Sequence, residues 1–403
     1  MNILTPNDER EEHMSKTHGL NRRTFLKNAG MTAFLGSVGS KNALAAEMGN
    51  VESTLINAEY DFDTVYSRVG SDSVKWDRAR ANFGEDIQVG MGIADMDFRA
   101  APCITKALEE RCKHENWGYL ARPDSYVEAI VAWNKRRYDL DVDPESVVLA
   151  TGVHPGLIAT LKTFAPPGTR VLLTTPTYNG FYGDLRASFT VAEDSPMRVV
   201  DGRYSIDFED FERRAKRCNA FLLCNPQNPT GNHWSPEDLT RMGEICLEHN
   251  VVVLADEIHC DFVMKGQTYT PFASLPNQDI VNNSLTFKAL SKTFSLAAMK
   301  TAWFFSTNED YLARVQMNHR ADLSTLGLEA NYAALTEGDE WLDQLLVYIN
   351  GNHDFAQSYI REKMPLVKYT KAQGTYLGWL DVSRVVDKIG AKKAAAEESK
   401  TST

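Results

Sequence analysis

The chain predicts an α/β fold, a mostly parallel sheet flanked by helices with a smaller α+β domain beside it. Three observations predict it. Short, continuous apolar runs (Val147-Val148-Leu149, Val171-Leu172-Leu173, Phe221-Leu222-Leu223 and Val251 to Ala255) recur through the middle of the sequence, and unbroken apolar strands are the kind a sheet buries on both faces. Stretches with helical periodicity separate these runs. Each run then opens into a polar or glycine-bearing turn, and open α/β sheets bind ligands beyond the carboxyl ends of their strands.

Bulk properties set limits first. At 403 residues, 43% of them hydrophobic, the chain suffices for two or three domains around a sizeable core. A net charge of −11 argues against nucleic acid as a partner. No run reaches the roughly 18 apolar residues that a membrane span needs. Six cysteines (Cys103, Cys112, Cys218, Cys224, Cys246 and Cys260) show no C-x-x-C spacing. Five of them fall in apolar or helical patterns, which reads as buried free thiols.

The first 46 residues predict an export signal rather than fold. Asn21-Arg22-Arg23-Thr24-Phe25-Leu26-Lys27 is a twin-arginine pattern, a mild apolar stretch runs from Met31 to Val38, and Ala43-Leu44-Ala45 offers a small-residue cleavage site. The expected location is periplasmic, with no membrane contact after export. This route carries folded proteins, which suits an enzyme that acquires a cofactor in the cytoplasm.

Residues 47–100 read as an N-terminal arm and part of a small domain, with Ser73-Val74-Lys75-Trp76 and Ala94-Asp95-Met96-Asp97-Phe98 its distinctive stretches. Residues 101–310 read as the large domain. Its first helix carries Ile104, Ala107, Leu108 and Cys112, and a second opens on a Ser125…Glu128 capping box with Val127, Ile130 and Val131 on one face. Thr151-Gly152-Val153-His154 then leads into a helix with Leu157, Leu161 and Phe164, stopped by Pro166-Pro167-Gly168. Ser235-Pro236 starts another, bearing Leu239, Met242 and Cys246. Residues 311–387 read as a small C-terminal domain, cut short: helical to about Lys363, then a strand pair, Val367 to Tyr369 and Thr375 to Asp381. Charged and small residues from 388 to 403 read as a disordered tail.

The chemistry centres on Ser291-Lys292-Thr293-Phe294, just past the apolar run from Ser284. A lone lysine in such a turn is ordinarily solvated, but Asn228-Pro229-Thr230-Gly231 and Asp256-Glu257-Ile258-His259 sit in the same way after their own apolar runs. An amine, a carboxylate and an amide on successive strand ends are what pyridoxal 5′-phosphate requires. Lys292 would bond the cofactor aldehyde. Asp256 would keep the pyridine nitrogen protonated, although a carboxylate there also serves as a cap. Asn228, with His259 nearby, would meet the phenolic oxygen, although Asn-Pro-Thr-Gly alone is also a common turn. Tyr178 would stack on the ring, or simply pack. The amides of Gly152, Val153 and His154, at a helix start, would take the phosphate.

Taken together, the spacing from Asn228 to Asp256 to Lys292 resembles fold-type I pyridoxal-phosphate enzymes of the class I/II aminotransferase superfamily. The motifs around Asp256 and Lys292, with Ser73–Trp76, Ala94–Phe98 and Gly374-Thr375-Tyr376, resemble the branch of PatB/MalY-type cystathionine and cysteine-S-conjugate β-lyases, from about Tyr60 to Asp381. The resemblance implies a homodimer acting on a small sulfur amino acid and releasing pyruvate, ammonia and a thiol, with no metal. It places Tyr119 on the neighbouring subunit's cofactor phosphate, and Ser291 and Lys300 at further phosphate or loop contacts. An aminotransferase would use the same residues, and a cofactor-binding but silent chain is a third possibility. Two departures stand out. Family members continue into a segment with a carboxylate-binding arginine where this chain runs Ala391-Lys392-Lys393-Ala394, and Ala297-Ala298-Met299 stands where the family has a glycine. The first leaves the substrate-carboxylate ligand unassigned; the second places an extra methyl behind Lys292.

Overall fold

The computed structural model describes residues 60–393 and 395. The twin-arginine motif, the cleavage site and most of the region beyond 393 lie outside them. The chain divides into two units, one ending at Arg99 and the other beginning at Ala100.

In the first unit the two distinctive stretches meet. Lys75 Nζ lies 2.9 Å from an Asp97 carboxylate oxygen and donates to the Asp95 carbonyl at 2.8 Å. Arg68 bridges Asp95 and Asp97, and Trp76 Nε1 donates to Asp97 at 3.1 Å. The single helix described here, α1 (Asp77–Phe83), begins where the Asp77 carboxylate accepts from the amides of Gly70, Ser71 and Ser73.

The second unit opens with α2 (Pro102–Cys112) and α3 (Asp124–Tyr138). The expected capping box does not form. Pro123 takes the N-cap position and the helix begins at Asp124, two residues early, so Ser125 lies inside the first turn. Then come β1 (Val148–Ala150), α4 (Val153–Phe164), β2 (Arg170–Thr175), α5 (Gly180–Ala187), β3 (Val191–Pro196), the hairpin of β4 (Arg198–Val200) and β5 (Arg203–Ser205), and α6 (Phe208–Ala215). The chain continues through β6 (Cys218–Cys224), α7 (Pro236–Glu248), β7 (Val252–Asp256), α8 (Gln278–Asn282), β8 (Ser284–Lys288) and β9 (Ala302–Phe305). Last are α9 (Glu309–Gln316), α10 (Thr325–Glu337), α11 (Asp339–Lys363), β10 (Lys368–Tyr369), β11 (Leu380–Asp381) and α12 (Ser383–Ile389).

The main sheet has the order β1-β9-β8-β7-β6-β2-β3. Its pairings are parallel from β8 through β7, β6 and β2 to β3, while β9 runs antiparallel to both β8 and β1. The continuous apolar runs have a simple cause: alternate residues of one strand enter different cores. Val171 and Leu173 pack with Leu157, Leu161 and Phe181 on one face, and Leu172 packs with Phe221, Leu239 and Met242 on the other. Each such fully buried leucine contributes on the order of 2 kcal/mol.

Three expectations change. The predicted strand pair shrinks to two residues on each side, Lys368 with Asp381 and Tyr369 with Leu380. Residues 388–393 and 395, expected to be disordered, are largely helical, since Lys388, Ala391, Lys392, Lys393 and Ala395 are strong helix formers. Of the cysteines, Cys218, Cys224, Cys246 and Cys260 are buried, Cys103 is half-buried, and Cys112 is exposed on the solvent face of α2. No described helix is long and apolar enough to cross a membrane.

Candidate functional site

Three strand ends make the site. β6 ends at Cys224 and enters Asn225-Pro226-Gln227-Asn228-Pro229-Thr230-Gly231. The turn is locked on several sides. Gln227 Nε2 donates to the Pro176 carbonyl at 2.8 Å, Trp234 Nε1 donates to the Cys224 carbonyl at 3.0 Å, and Gly231 N–H donates to the Gln227 carbonyl at 2.8 Å. Gly231 has φ +71°, and a Cβ there would stand 2.6 Å from that of Ala372, so this turn requires glycine for both conformation and space. Asn228, buried, ends up with Nδ2 3.5 Å from Nε2 of buried His259.

β7 delivers Asp256. Its carboxylate is buried and, among the described residues, accepts one hydrogen bond, from the Ile258 N–H at 3.1 Å. Burial pushes its pKa up to about 6, opposed by that amide and by the positive charges of His154 and Lys292. Burial likewise holds His259 down at about 3, with the Lys292 charge adding to it. His259 is therefore neutral, and its buried Nδ1 has no hydrogen-bond partner among the described residues. Lys292 is half-buried in the turn after β8, close enough to Asp256, His154 and His259 to act on the charge of each.

The fourth side is the start of α4, with Gly152 at the N-cap. His154 Nδ1 meets the Asp184 carboxylate at 2.7 Å, and this bond raises the pKa of the imidazole. Its Nε2 lies 3.3 Å from the Tyr178 hydroxyl, and the two rings are tilted at 5.7 Å. A Cβ on Gly180 would strike the Tyr178 ring at 2.4 Å, so that glycine gives Tyr178 its place. Gly152, Val153, His154, Tyr178, Asn228, Asp256, His259 and Lys292 thus gather at one end of the sheet. Ser291 is half-buried beside Lys292. Lys300 is exposed with φ +54°. Tyr119 is fully exposed, at 110%, in an irregular segment after α2. Ala297 and Ala298 form an exposed 3-10 turn, so their methyls do not crowd the loop behind Lys292 as the sequence led us to expect.

Residues that motif reading passes over lie directly behind this set. Glu257 is fully buried and accepts from the Phe272 N–H at 2.8 Å, from Asn225 Nδ2 at 3.3 Å and from the Tyr269 hydroxyl. Lys288, also buried, stands 3.6 Å from it. Asp261 accepts from Thr293 Oγ1 at 2.5 Å and from the Tyr138 hydroxyl. A lysine closing an apolar strand is the readable signal for this layer.

A buried carboxylate with one weak partner, an adjacent neutral histidine with an unused nitrogen, a lysine beside both and a helix start opposite fit pyridoxal phosphate: a ring cation for Asp256, a covalent bond for Lys292, a phosphate for α4. Comparison with known proteins agrees. The model of the aminotransferase class I and II family matches residues 86–400. Cystathionine beta-lyase PatB of Bacillus subtilis is 38% identical over 80% of this chain and 85% of its own length. Protein MalY of Escherichia coli is 30% identical over 85% of this chain and 89% of its own. Among solved structures, cystalysin from Treponema denticola, which contains pyridoxal 5′-phosphate, is 29% identical with a TM-score of 0.77, covering 80% of this chain and 84% of that one. The pyridoxal-phosphate-bound C-S lyase from Staphylococcus hominis is 28% identical with a TM-score of 0.77, covering 82% and 84%.

Proposed function

We infer that this chain, which belongs to the aminotransferase class I and II family, is a pyridoxal-phosphate-dependent carbon–sulfur β-lyase that converts cystathionine or a cysteine S-conjugate to pyruvate, ammonia and a thiol. The observation that carries the reading is the convergence of Lys292, Asp256, Asn228 and His259 at the carboxyl ends of adjacent strands, in a chain 38% identical to a cystathionine β-lyase. When bound, the cofactor supplies an electron sink for the pair left at the substrate's Cα.

The chain's residues do the rest. Lys292 would hold the cofactor by its aldehyde carbon, and its Nζ is the amine that a substrate amine would replace there. Its freed Nζ then removes the proton from Cα, as general base. Asp256 keeps the proton on the ring nitrogen: its carboxylate is costly to bury alone, so a cation at that point stabilises both partners. Asn228 would donate to the ring oxygen, with neutral His259 3.5 Å from its amide nitrogen. Tyr178 would cover the ring face, and the amides of Gly152, Val153 and His154 at the start of α4 would hold the phosphate, with Ser291 as a further contact. The bond that breaks is Cβ–S: the pair left at Cα becomes the Cα–Cβ double bond, the sulfur leaves with the Cβ–S pair and takes up a proton as thiol, and water hydrolyses the resulting enamine to pyruvate and ammonia.

The test is purified chain with L-cystathionine and no keto acid. We expect stoichiometric pyruvate and thiol, and we expect Lys292→Ala to lose both the activity and the cofactor's visible absorbance band. Conversion of that band to the pyridoxamine form, with no pyruvate, would assign transamination instead.

Location and assembly belong to the same reading. The Arg22-Arg23 pattern supports twin-arginine export to the periplasm; changing both arginines to lysine should leave the protein in the cytoplasmic fraction. Exposed Trp117, Tyr119 and Leu120 support a homodimer in which Tyr119 reaches the partner's cofactor phosphate.

A further inference from the structure

The last residue of β8, Lys288, is 1% exposed, and its Nζ makes no hydrogen bond among the described residues. What surrounds it is an aromatic and acidic cage. The Glu257 carboxylate lies at 3.6 Å, the Tyr138 ring centroid at 4.0 Å and that of Tyr269 at 5.6 Å. An apolar residue at this point of a buried strand would avoid the desolvation of an ammonium, and replacing a buried ion pair by apolar groups is often neutral or stabilising. The cage therefore has something else to hold.

What it holds is legible in the chain itself. Three groups of the cage and its surroundings, Glu257, Cys260 and Thr293, are adjacent in sequence to residues of the candidate site. Glu257 follows Asp256. Cys260, whose Sγ lies 3.2 Å from the Tyr138 hydroxyl, follows His259. Asp261 comes next and is bonded by Tyr138 and by Thr293, which follows Lys292. Glu257 also ties in Asn225, at the head of the turn that carries Asn228. Two carboxylates, Glu257 and Asp261, thus fasten the three strand-end turns from behind. Arg137 acts on Asp261 from α3; Lys288 is the cation that meets Glu257.

We propose that Lys288 is a positioning residue for Lys292: a buried cation that fastens together the strand-end turns carrying Lys292, Asp256 and His259. The inference rests on Lys292 and Asp256 holding the cofactor as described above. Lys288 acts through Glu257 and the turn geometry and touches no substrate. It also places a positive charge four residues before Lys292, which disfavours a proton on the nitrogen that bonds the cofactor.

The decisive measurement is a pH titration of the cofactor absorbance band in the holoenzyme, alongside thermal melting. Lys288→Met should raise the midpoint by about 0.5 to 1 pH unit and lower kcat more than it changes KM. Glu257→Gln should move the midpoint down, and the charge-balanced double variant Lys288→Met/Glu257→Gln should return it toward wild type. The double variant removes the unpaired buried carboxylate, so it answers the question even if Lys288→Met folds poorly. A Lys288→Met chain that melts lower but keeps the wild-type midpoint, with Glu257→Gln equally unmoved, would reduce Lys288 to packing and overturn the proposal. Wild-type protein without a cofactor band would instead overturn the cofactor reading, and this inference with it.

Discussion

Asp256 is where residue-level physics can be tested without substrate. Its pKa rises from an ordinary 3.8 to about 6 on folding, chiefly through burial. The folded cofactor-free chain therefore binds this proton more tightly than the unfolded chain, and folding loses stability as pH climbs from about 4 to about 6, the loss being complete above that. Asp256→Asn carries no charge to bury. In cofactor-free protein at pH 8 it should melt higher than wild type, by at most about 3 kcal/mol in unfolding free energy, and the advantage should vanish near pH 4. With cofactor the order should reverse, since the variant offers no carboxylate to the ring nitrogen. Equal melting of the two cofactor-free proteins at both pH values would show that Asp256 is not held in a desolvating site. The sequence displayed Asp256, Asn228 and Lys292 because each ends an apolar run in a turn. It did not display Glu257 or Lys288 in their roles, which depend on which side of the strand end faces the cofactor, or Asp184, which reaches His154 from α5.

Elements were legible wherever local pattern decides them, and less so wherever a neighbour does. The strands β2, β6 and β7 stood out because both of their faces are buried. The direction of β9 did not: Ala302-Trp303-Phe304-Phe305 is as apolar as the parallel strands β6 and β7, and only pairing reveals that it runs the other way. The start of α3 was misplaced because Pro123 fixes the helix origin before Ser125 can cap it. Helix α4 carries a firmer element-level prediction. A Cβ on Gly156 would lie 3.3 Å from the rings of both Phe287 and Phe304, where β8 and β9 pack against the helix. Neither ring is free to retreat from the core. Gly156→Ala should therefore cost about 1–3 kcal/mol in thermal unfolding. Because it pushes the helix start away from the strand ends, it should also weaken cofactor binding. At the cap of α7, Ser235 accepts from the Asp238 N–H at 3.1 Å. Ser235→Ala should cost about 1 kcal/mol and leave cofactor affinity unchanged, which separates loss of stability from displacement of the site.

For the whole molecule, the proposed homodimer makes a prediction that no single-chain property can mimic. If Tyr119 serves the partner's cofactor while Lys292 serves its own, the two residues of one working site come from different chains. Two inactive or weakened variants should then rescue one another. Lys292→Ala chains supply a sound Tyr119, and Tyr119→Ala chains supply a sound Lys292. Equal amounts, unfolded together and reassembled at limiting cofactor, give heterodimers as about half of all C2 dimers. Each heterodimer has one complete site, so the mixture should recover about a quarter of the wild-type rate per site if assembly is unbiased. Were Tyr119 to act within its own chain, no combination would restore a site, and the mixture would show only the average of its parents. The full exposure of Tyr119 in the isolated chain favours the first outcome. A tyrosine fully exposed among the described residues, on a segment that also exposes Trp117 and Leu120, has contacts to gain from a second copy.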